Sequence, residues 1–181
     1  FSRLIRMVLD NSRSEKISLD REIETLRLYI GMEKLRFVDK FDFEIHIDEQ
    51  LDLAHTMIQP MMVQPYVENA IWHGLMPLQD GGKLLIRFTR LADQLLVSVE
   101  DNGIGRKRSQ AMKTMQRIPQ RSHGMKVTAE RLSLLNSRAG TRAEIIVTDL
   151  TDEYNDPSGT RVDLILPLEV IVHQTITDSL T

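Results

Sequence analysis

The sequence predicts a two-layer α/β sandwich, in which a mixed sheet packs on helices. Stretches with helical and strand periodicity follow one another as helix, strand, helix, two strands, basic loop, helix and two strands. Mixed elements in such an order suit two packed layers around one core. The 181 residues are 41% hydrophobic and 27% charged, which is typical of one globular domain with a short appendage.

The first part of the chain is predicted to be helical. Residues 1–13 place four apolar side chains on one side: Leu4, Ile5, Val8 and Leu9. A second helix is expected to begin at an N-cap, Ser18, with Asp20 and Glu22 in the first turn, where carboxylates favour the helix dipole. Its apolar residues recur at spacings of four, three and four as far as Phe37: Leu19, Ile23, Leu26 and Ile30.

Five strands are predicted in the rest of the chain. Apolar and polar residues alternate over residues 41–47, which is strand periodicity. Further strands are expected over residues 84–89, 95–100, 143–149 and 160–166, and a helix over residues 66–75. The domain assignment is therefore residues 1–37 for the end of a helical region, 38–168 for the sandwich, and 169–181 for a loosely held tail.

Composition excludes several classes of protein. With 23 basic and 26 acidic residues, the formal net charge is -3, so there is no overall basic field and no nucleic-acid partner is expected. The sequence has no cysteine, which excludes disulfides, Cys-ligated zinc, iron–sulfur clusters and thiol catalysis. No run approaches the ~18 apolar residues that span a bilayer. Because the chain begins with Phe1 within a helical pattern, it is expected to be a piece of a longer protein.

Three short blocks carry the candidate chemistry, and the first is residues 64–74. On a helix, Asn69 and His73 are four residues apart and share a face. An Asn side-chain oxygen is a neutral, hard ligand that suits Mg²⁺, and His73 could then face a phosphate. The alternative is a structural helix, with Asn69 as a capping residue and His73 packed on the core.

The second block, residues 100–105, directly follows a predicted strand. The Asp101 carboxylate could accept a hydrogen bond from the exocyclic amine of adenine, which is a donor. Gly103 and Gly105 permit positive φ and close backbone approach to a ligand. The alternative is a plain turn, because Asp-Asn-Gly is favourable turn chemistry.

The third block, residues 122–126, ends a basic segment. Residues 106–129 contain no acidic residue, and Ser122 and Gly124 precede a predicted helix, whose N-terminus would favour bound phosphate. The alternative is a flexible linker. We expect residues 106–122 to be mobile without nucleotide, because their positive charges repel one another.

In this order, the three blocks resemble motifs of the GHKL ATPase superfamily. Residues 68–74 resemble its N-box, 101–105 and 122–125 its two glycine boxes, and 159–164 its final Gly-Thr strand. The likeness extends to the LytS-like sensor histidine kinases, whose N-box is Gln-Pro-x-Val-Glu-Asn-Ala-Ile-x-His-Gly, as in residues 64–74. That group also has a helix ending in Glu-x-x-Arg-Phe, which residues 33–37 match. The resemblance covers about residues 1 to 168.

This resemblance implies a Bergerat-type ATP-binding fold and a role for each matched residue. Asn69 would coordinate the Mg²⁺ that bridges the ATP phosphates, and His73 would approach those phosphates. Glu68 would be the acidic residue beside Asn69 that acts as a polarising base. Residues 106–122 would form the ATP lid. The implied ATP-binding set is Asn69, His73, Asp101, Gly103, Gly105, Ser122, Gly124, Met125 and Thr160.

The implied reaction is transfer of the ATP γ-phosphoryl group to a histidine, as in two-component signalling. In the LytS-like group the acceptor lies in a Pro-His-Phe context on an upstream helix, and none of the five histidines here has that context. The acceptor is therefore expected before Phe1. The implied partners are a second copy, joined through the upstream helical region, and a response regulator of the LytTR type. The implied location is the cytoplasmic part of a membrane protein.

Two departures from the family pattern leave alternatives open. Ser122 stands where glycine is usual, which would stiffen the lid, and Trp72 stands where the N-box often has a lysine that would reach phosphate. A degenerate kinase-like domain that serves only as a binding or dimerisation module would fit both. A GHKL ATPase that hydrolyses ATP would instead need a glutamate four residues before Asn69, where Pro65 stands.

Overall fold

The computed structural model describes residues 2–37, 40–79, 81–116 and 143–171, and its central feature is a five-stranded mixed sheet. The strand order is β2-β4-β5-β7-β6; β2 is parallel to β4, and the other neighbours are antiparallel. The strands are β2 (Phe41–Ile47), β4 (Gly82–Leu91), β5 (Gln94–Asp101), β6 (Glu144–Thr151) and β7 (Pro157–Pro167). All five predicted strands are present. β7 begins earlier than the predicted residue 160, because Pro157 already pairs with Thr151.

Helices cover one face of this sheet. They are α1 (Ser2–Ser12), α2 (Leu19–Arg36), α3 (Gln64–Asn69), which continues as a π-helical turn over Ala70–Leu75, and α4 (Gly105–Gln116). Leu84, Ile86 and Phe88 of β4 are almost fully buried and alternate with outward-facing residues, as strand periodicity requires. The two-layer mixed fold predicted from the sequence is therefore confirmed.

The second helix forms as its sequence pattern predicts. Its stripe of Leu19, Ile23, Leu26 and Ile30 is at most 4% exposed and belongs to the same core as the sheet. Ser18 is the N-cap, with an extended backbone, but its side chain makes no capping hydrogen bond. The Glu22 carboxylate instead turns inward and accepts hydrogen bonds from the backbone N–H groups of Met61 and Val63, at 3.1 and 3.3 Å.

A second, smaller sheet was not predicted. Three short strands, β1 (Ile17–Ser18), β3 (Thr56–Ile58) and β8 (Glu169–Val170), pair antiparallel in the order β1-β3-β8. Residues 169 and 170 thus belong to a strand, and the prediction of a loose tail is wrong for them; residues 172–181 lie outside the described residues. Each strand is too short to show periodicity, so the pairing has no local sequence signal.

The basic segment also differs from its prediction where it is described. A loop was expected from Arg106 onward, but Gly105–Gln116 forms α4. Arginine, lysine, glutamine, alanine and methionine all have high helix propensity, and this outweighs the repulsion between neighbouring positive charges. The expected mobility of residues 106–122 stays a prediction. Among the described helices, none has the length and apolar character needed to cross a membrane.

Candidate functional site

A cavity of about 330 Å³ opens between the α3 helix with its π-helical turn, the sheet and the start of α4. This volume lies within the range of small-molecule sites. Five residues predicted from the sequence line it: Asn69, His73, Asp101, Gly105 and Thr160. Three residues of the segment expected to form the lid, Arg106, Ser109 and Gln110, also line it. The lining is completed by Tyr66, Ala70, Gly74, Val99, Val147 and Val162.

Asp101, the last residue of β5, provides a buried carboxylate in this cavity. It is only 5% exposed, and the backbone N–H of Gly103 donates a hydrogen bond to Oδ1 at 2.9 Å. Burial raises the pKa of Asp101 to about 6, although hydrogen bonds from the backbone of Gly103 and Thr160 act in the opposite direction. A carboxylate held in this way is a strong acceptor for a donor group entering the cavity.

A row of three valines forms an apolar wall beside Asp101. Val99 of β5 is in register with Val162 of β7, which is in register with Val147 of β6. The next cross-strand row towards the cavity consists of Asp101, Thr160 and Asp149. This arrangement places a flat apolar surface next to one buried acceptor, which suits a planar ring with an exocyclic donor. The period-two alternation from Asp101 back to Val99 is the sequence signal that would have found the wall.

Backbone-to-backbone contact between two glycines sets the position of Asp101. A Cβ atom on Gly103 would lie 2.3 Å from the carbonyl carbon of Gly74, and one on Gly74 would lie 2.6 Å from Asp101 Oδ1. The N–H of Ile104 donates to the Gly74 carbonyl at 3.1 Å, which joins the loop after β5 to the π-helical turn. Gly103 was predicted to approach a ligand, but it does not line the cavity, and its close approach is to Gly74. Gly105 does adopt the positive φ that was predicted, at 74°.

Asn69 and His73 share the face of the α3 segment that lines the cavity. The Asn69 side-chain nitrogen donates to the carbonyl of Pro65 at 2.8 Å, and this bond leaves Oδ1 as the atom presented to a ligand. His73 lies in the π-helical turn, where the N–H of Met76 bonds back to the carbonyl of Ile71. Single turns of this wide type within α-helices are frequent at functional sites.

Glu68 does not line the cavity, although it is adjacent to Asn69 in the sequence. Its carboxylate accepts a hydrogen bond from Gln64 at 3.2 Å, and its charge acts on Tyr29 and Glu33 of α2. One residue along a helix rotates the side chain by about 100° about the axis, which separates the direction of Glu68 from that of Asn69. A catalytic role for Glu68 stays a prediction.

At the rim of the cavity, α4 is tied to β6 by an ion pair. The Arg106 guanidinium makes two hydrogen bonds to the Asp149 carboxylate, at 2.6 and 2.8 Å. This pairing lowers the pKa of Asp149 and raises that of Arg106. Both side chains are about half exposed, so solvent screens the interaction. The sequence placed Arg106 in a basic segment but gave no signal for its partner. Ser122, Gly124 and Met125 lie outside the described residues.

The sequence of this chain is similar to a known family and to several known proteins. A sequence model of the family described as Histidine kinase matches residues 1–41. The sensor histidine kinase YpdA of Escherichia coli K12 is 32% identical over 104 residues, which are 58% of this chain and 18% of YpdA. The sensor protein LytS of Staphylococcus haemolyticus is 31% identical over 104 residues, with the same two shares. The chain is a homologue of the LytS-like sensor histidine kinases. It spans about 18% of the length of these two relatives.

Solved structures of histidine kinases share the fold of this homologue. The histidine kinase domain from the Erythrobacter litoralis EL346 blue-light activated histidine kinase aligns with a TM-score of 0.58 and 17% identity, over 92% of this chain and 72% of that one. The catalytic domain of histidine kinase ThkA, in a nucleotide-free form, aligns with a TM-score of 0.54 and 14% identity, over 86% and 97%. The resemblance to LytS-like kinases and the fold class predicted from the sequence are both confirmed.

Proposed function

We propose that residues 38–168 are the ATP-binding catalytic domain of a two-component sensor histidine kinase, which transfers the ATP γ-phosphoryl group to a histidine nitrogen. The observation that carries this proposal is the buried carboxylate of Asp101 beside a row of valines, within a cavity of about 330 Å³. The 6-amino group of adenine is a hydrogen-bond donor on a flat ring, and this wall and acceptor complement both features.

We assign the phosphates to a second group of lining residues, Asn69, His73 and Arg106, which we call the phosphate end of the cavity. His73 and Arg106 lie in its lining and provide hydrogen-bond donors, and a guanidinium is well suited to phosphate oxygens. Asn69 presents Oδ1, a hard oxygen ligand that fits Mg²⁺. When bound, Mg²⁺ would supply positive charge between the phosphate oxygens. Asn69 would hold it there, since the bond from its side-chain nitrogen to Pro65 fixes the direction of the oxygen.

These residues would position the reacting groups and neutralise negative charge. Phosphoryl transfer needs little covalent chemistry from the protein, because the attacking and leaving oxygen or nitrogen atoms must mainly be held in line and the spreading negative charge neutralised. Residues 1–181 contain no histidine in the expected Pro-His-Phe context, so the acceptor would be supplied by another segment or chain. A second copy joined through the upstream helical region, and a response regulator of the LytTR type, are the partners that we propose with this reaction. The membrane placement of the parent protein is part of the same proposal.

Hydrolysis of ATP by water fits the site less well than transfer to histidine. A GHKL ATPase would activate water with a glutamate four residues before Asn69, and Pro65 occupies that position. The Pro65 carbonyl is also engaged by Asn69, so this turn provides a structural contact where an ATPase needs a base. Phosphate release by the isolated chain should therefore stay near the rate of a sample without protein.

Nucleotide selectivity tests the proposal directly. Titration calorimetry of the chain with ATP and Mg²⁺ should show binding, and GTP should bind more weakly, because guanine places an acceptor where adenine has its amine. Asp101→Asn should weaken ATP by about ten- to a hundredfold, the effect of losing a charged hydrogen bond worth ~1.5–3 kcal/mol.

A wild-type chain that binds no nucleotide at millimolar concentration would overturn the kinase proposal and favour a degenerate module. Equal affinity of the wild type and Asp101→Asn would show that Asp101 serves only in the turn after β5. Binding of GTP as tightly as ATP would remove the adenine assignment while leaving a phosphate site.

A further inference from the structure

The segment Glu33–Phe37 was singled out in the sequence, but the proposed site does not use it. In the structure it is the last turn of α2 with its C-cap, and the side chains of Arg36 and Phe37 lie against Trp72 of the π-helical turn; none of these five residues lines the cavity. Phe37 meets Trp72 edge to face, with ring centroids 5.1 Å apart and planes at 86°. The guanidinium of Arg36 lies 5.1 Å from the Trp72 ring centroid and 5.4 Å from that of Phe37, which is within the range of cation–π attraction.

Tyr29 of α2 also lies near Trp72, whose indole N–H can only donate and acts to lower the pKa of the Tyr29 hydroxyl. Burial, together with the nearby charges of Glu68 and Glu33, raises the pKa of Tyr29. Trp72, which stands where the family often has lysine, is therefore turned towards α2. It does not line the cavity.

The same contact contains polar groups that a purely structural interface would avoid. Glu33 is only 4% exposed, and neither its Oε2 nor the buried Oε1 of Gln64 has a hydrogen-bond donor within the described residues. Burial raises the pKa of Glu33, while Arg36 lowers it and Glu68 raises it further. Apolar residues of similar volume would stabilise such a contact more, because buried polar atoms without partners cost free energy. What the polar and aromatic groups provide is a defined orientation.

That orientation bears on the cavity because of helical spacing. Glu68 and Trp72 face α2, and their immediate neighbours Asn69 and His73 face the cavity, because successive residues of a helix point to different sides of its axis. If residues 64–75 rotated about their helix axis so that Trp72 left α2, Asn69 Oδ1 would turn away from the phosphate end of the cavity by the angle of that rotation. The contacts between α2 and Trp72 therefore determine the direction of Asn69 Oδ1, the proposed Mg²⁺ ligand.

We propose that Phe37 and Arg36 at the end of α2, acting through Trp72, are positioning residues for Asn69 and His73. This proposal rests on the proposed function, since it states that α2 determines how the residues at the phosphate end of the cavity are oriented. It places no side chain of α2 in contact with nucleotide. Residues that support a metal ligand from behind typically change metal affinity by ten- to a hundredfold when they are replaced.

The test separates the two ends of the cavity. In Phe37→Leu and Trp72→Leu, affinity for ATP with Mg²⁺ should fall by about tenfold, while affinity for adenosine, which lacks phosphates, should stay within about twofold of the wild type. Trp72→Phe keeps the ring contacts and should recover most of the ATP affinity. Leu35→Ala is the matched control, because Leu35 lies in the same segment but is 83% exposed, and it should bind both ligands like the wild type.

A second readout uses the single tryptophan of the chain, which is Trp72. Coupling is reciprocal, so ATP with Mg²⁺ should change the intrinsic fluorescence of Trp72, adenosine should not, and Asn69→Ala should abolish the change. Parallel loss of ATP and adenosine affinity in the Phe37 and Trp72 variants would mean a structural role only and would overturn the proposal. Unchanged ATP affinity in folded variants would overturn it too, while leaving the proposed function intact. A wild-type chain that binds neither ligand would overturn the proposed function itself.

Discussion

The floor and the rim of the cavity are built in different ways. At the floor, Asp101 is 5% exposed and is positioned by backbone contact between Gly74 and Gly103. At the rim, Arg106 and Asp149 form an ion pair whose side chains are 53% and 41% exposed. A buried contact between main chains can change only if the fold moves, whereas an exposed ion pair exchanges with solvent at little cost. The difference indicates that the floor of the cavity is rigid and that its rim is adjustable.

The floor should be the less tolerant of the two to substitution. Gly103→Ala would place a Cβ atom 2.3 Å from the Gly74 carbonyl carbon, and since that atom is main chain, the loop after β5 or the π-helical turn must shift. We expect a loss of about 3 kcal/mol in the free energy of unfolding, measured by urea denaturation. Gly31→Ala in α2 is the control, because a Cβ there meets nothing within 4 Å, and it should stabilise the helix slightly. Equal stabilities of the two variants would show that the floor is not rigid.

The buried charge at the floor should also make stability depend on pH. The pKa of Asp101 is raised from 3.8 to about 6, so the folded protein binds a proton more tightly than the unfolded chain does. The resulting stability is fully present below pH ~3.8 and is lost as the pH rises through ~6, by roughly 3 kcal/mol in all.

Asp101→Asn removes this loss, and without nucleotide it should therefore melt at a higher temperature than the wild type at neutral pH. Thermal unfolding monitored by circular dichroism from pH ~4 to ~7 gives the comparison. Parallel pH profiles for wild type and variant would show that the carboxylate of Asp101 is not desolvated.

Substitutions at the rim should have the smallest effect on the free energy of unfolding. Whereas Asp101→Asn should weaken ATP binding, they should strengthen it. Asp149→Asn should change the free energy of unfolding by less than about 1 kcal/mol, as is usual for an exposed pair. It releases Arg106 towards the cavity, so ATP affinity should rise by roughly two- to fivefold at low salt and less at high salt, since salt screens the charges.

Asp156→Asn provides the matched control for the rim. Asp156 pairs with Arg108 at 3.9 Å, and Arg108 does not line the cavity, so this variant should bind ATP like the wild type. Equal gains in both variants would reflect net charge alone, and a lower affinity in Asp149→Asn would mean that the ion pair holds Arg106 in its binding position.

The sequence predicted secondary structure best in segments that bury one face, because burial of one face produces a regular alternation of apolar and polar residues. The bounds of β2 match the prediction to the residue, because Phe41, Phe43 and Ile45 are more buried than the residues between them. The short strands were missed because pairing of Thr56–Ile58 with two distant segments is a tertiary effect. In α4, the charge pattern suggested a loop, but intrinsic helix propensity decided the outcome.

The site was predictable as a set of residues, but the direction of each side chain was not. Asn69, His73, Asp101, Gly105 and Thr160 line one cavity, and their roles in binding ATP stay predictions. Glu68 and Gly103 are adjacent to those residues in sequence, yet Glu68 faces α2 and Gly103 packs on Gly74. Direction depends on rotation about a helix axis and on the register of distant segments, and a linear motif specifies neither.

The small sheet brings two distant parts of the chain to one place. β1 and β8 flank β3 on either side, and Lys16 forms an ion pair with Glu169. The chain between residues 17 and 170 is thus nearly a closed ring, which suits insertion of the unit into a longer protein or circular permutation. New termini could be opened in the exposed turn at residues 152–156, once a short linker joined the two ends of the ring. Such a permutant would keep every strand of both sheets, and residues 17–170 would no longer be covalently joined to α1.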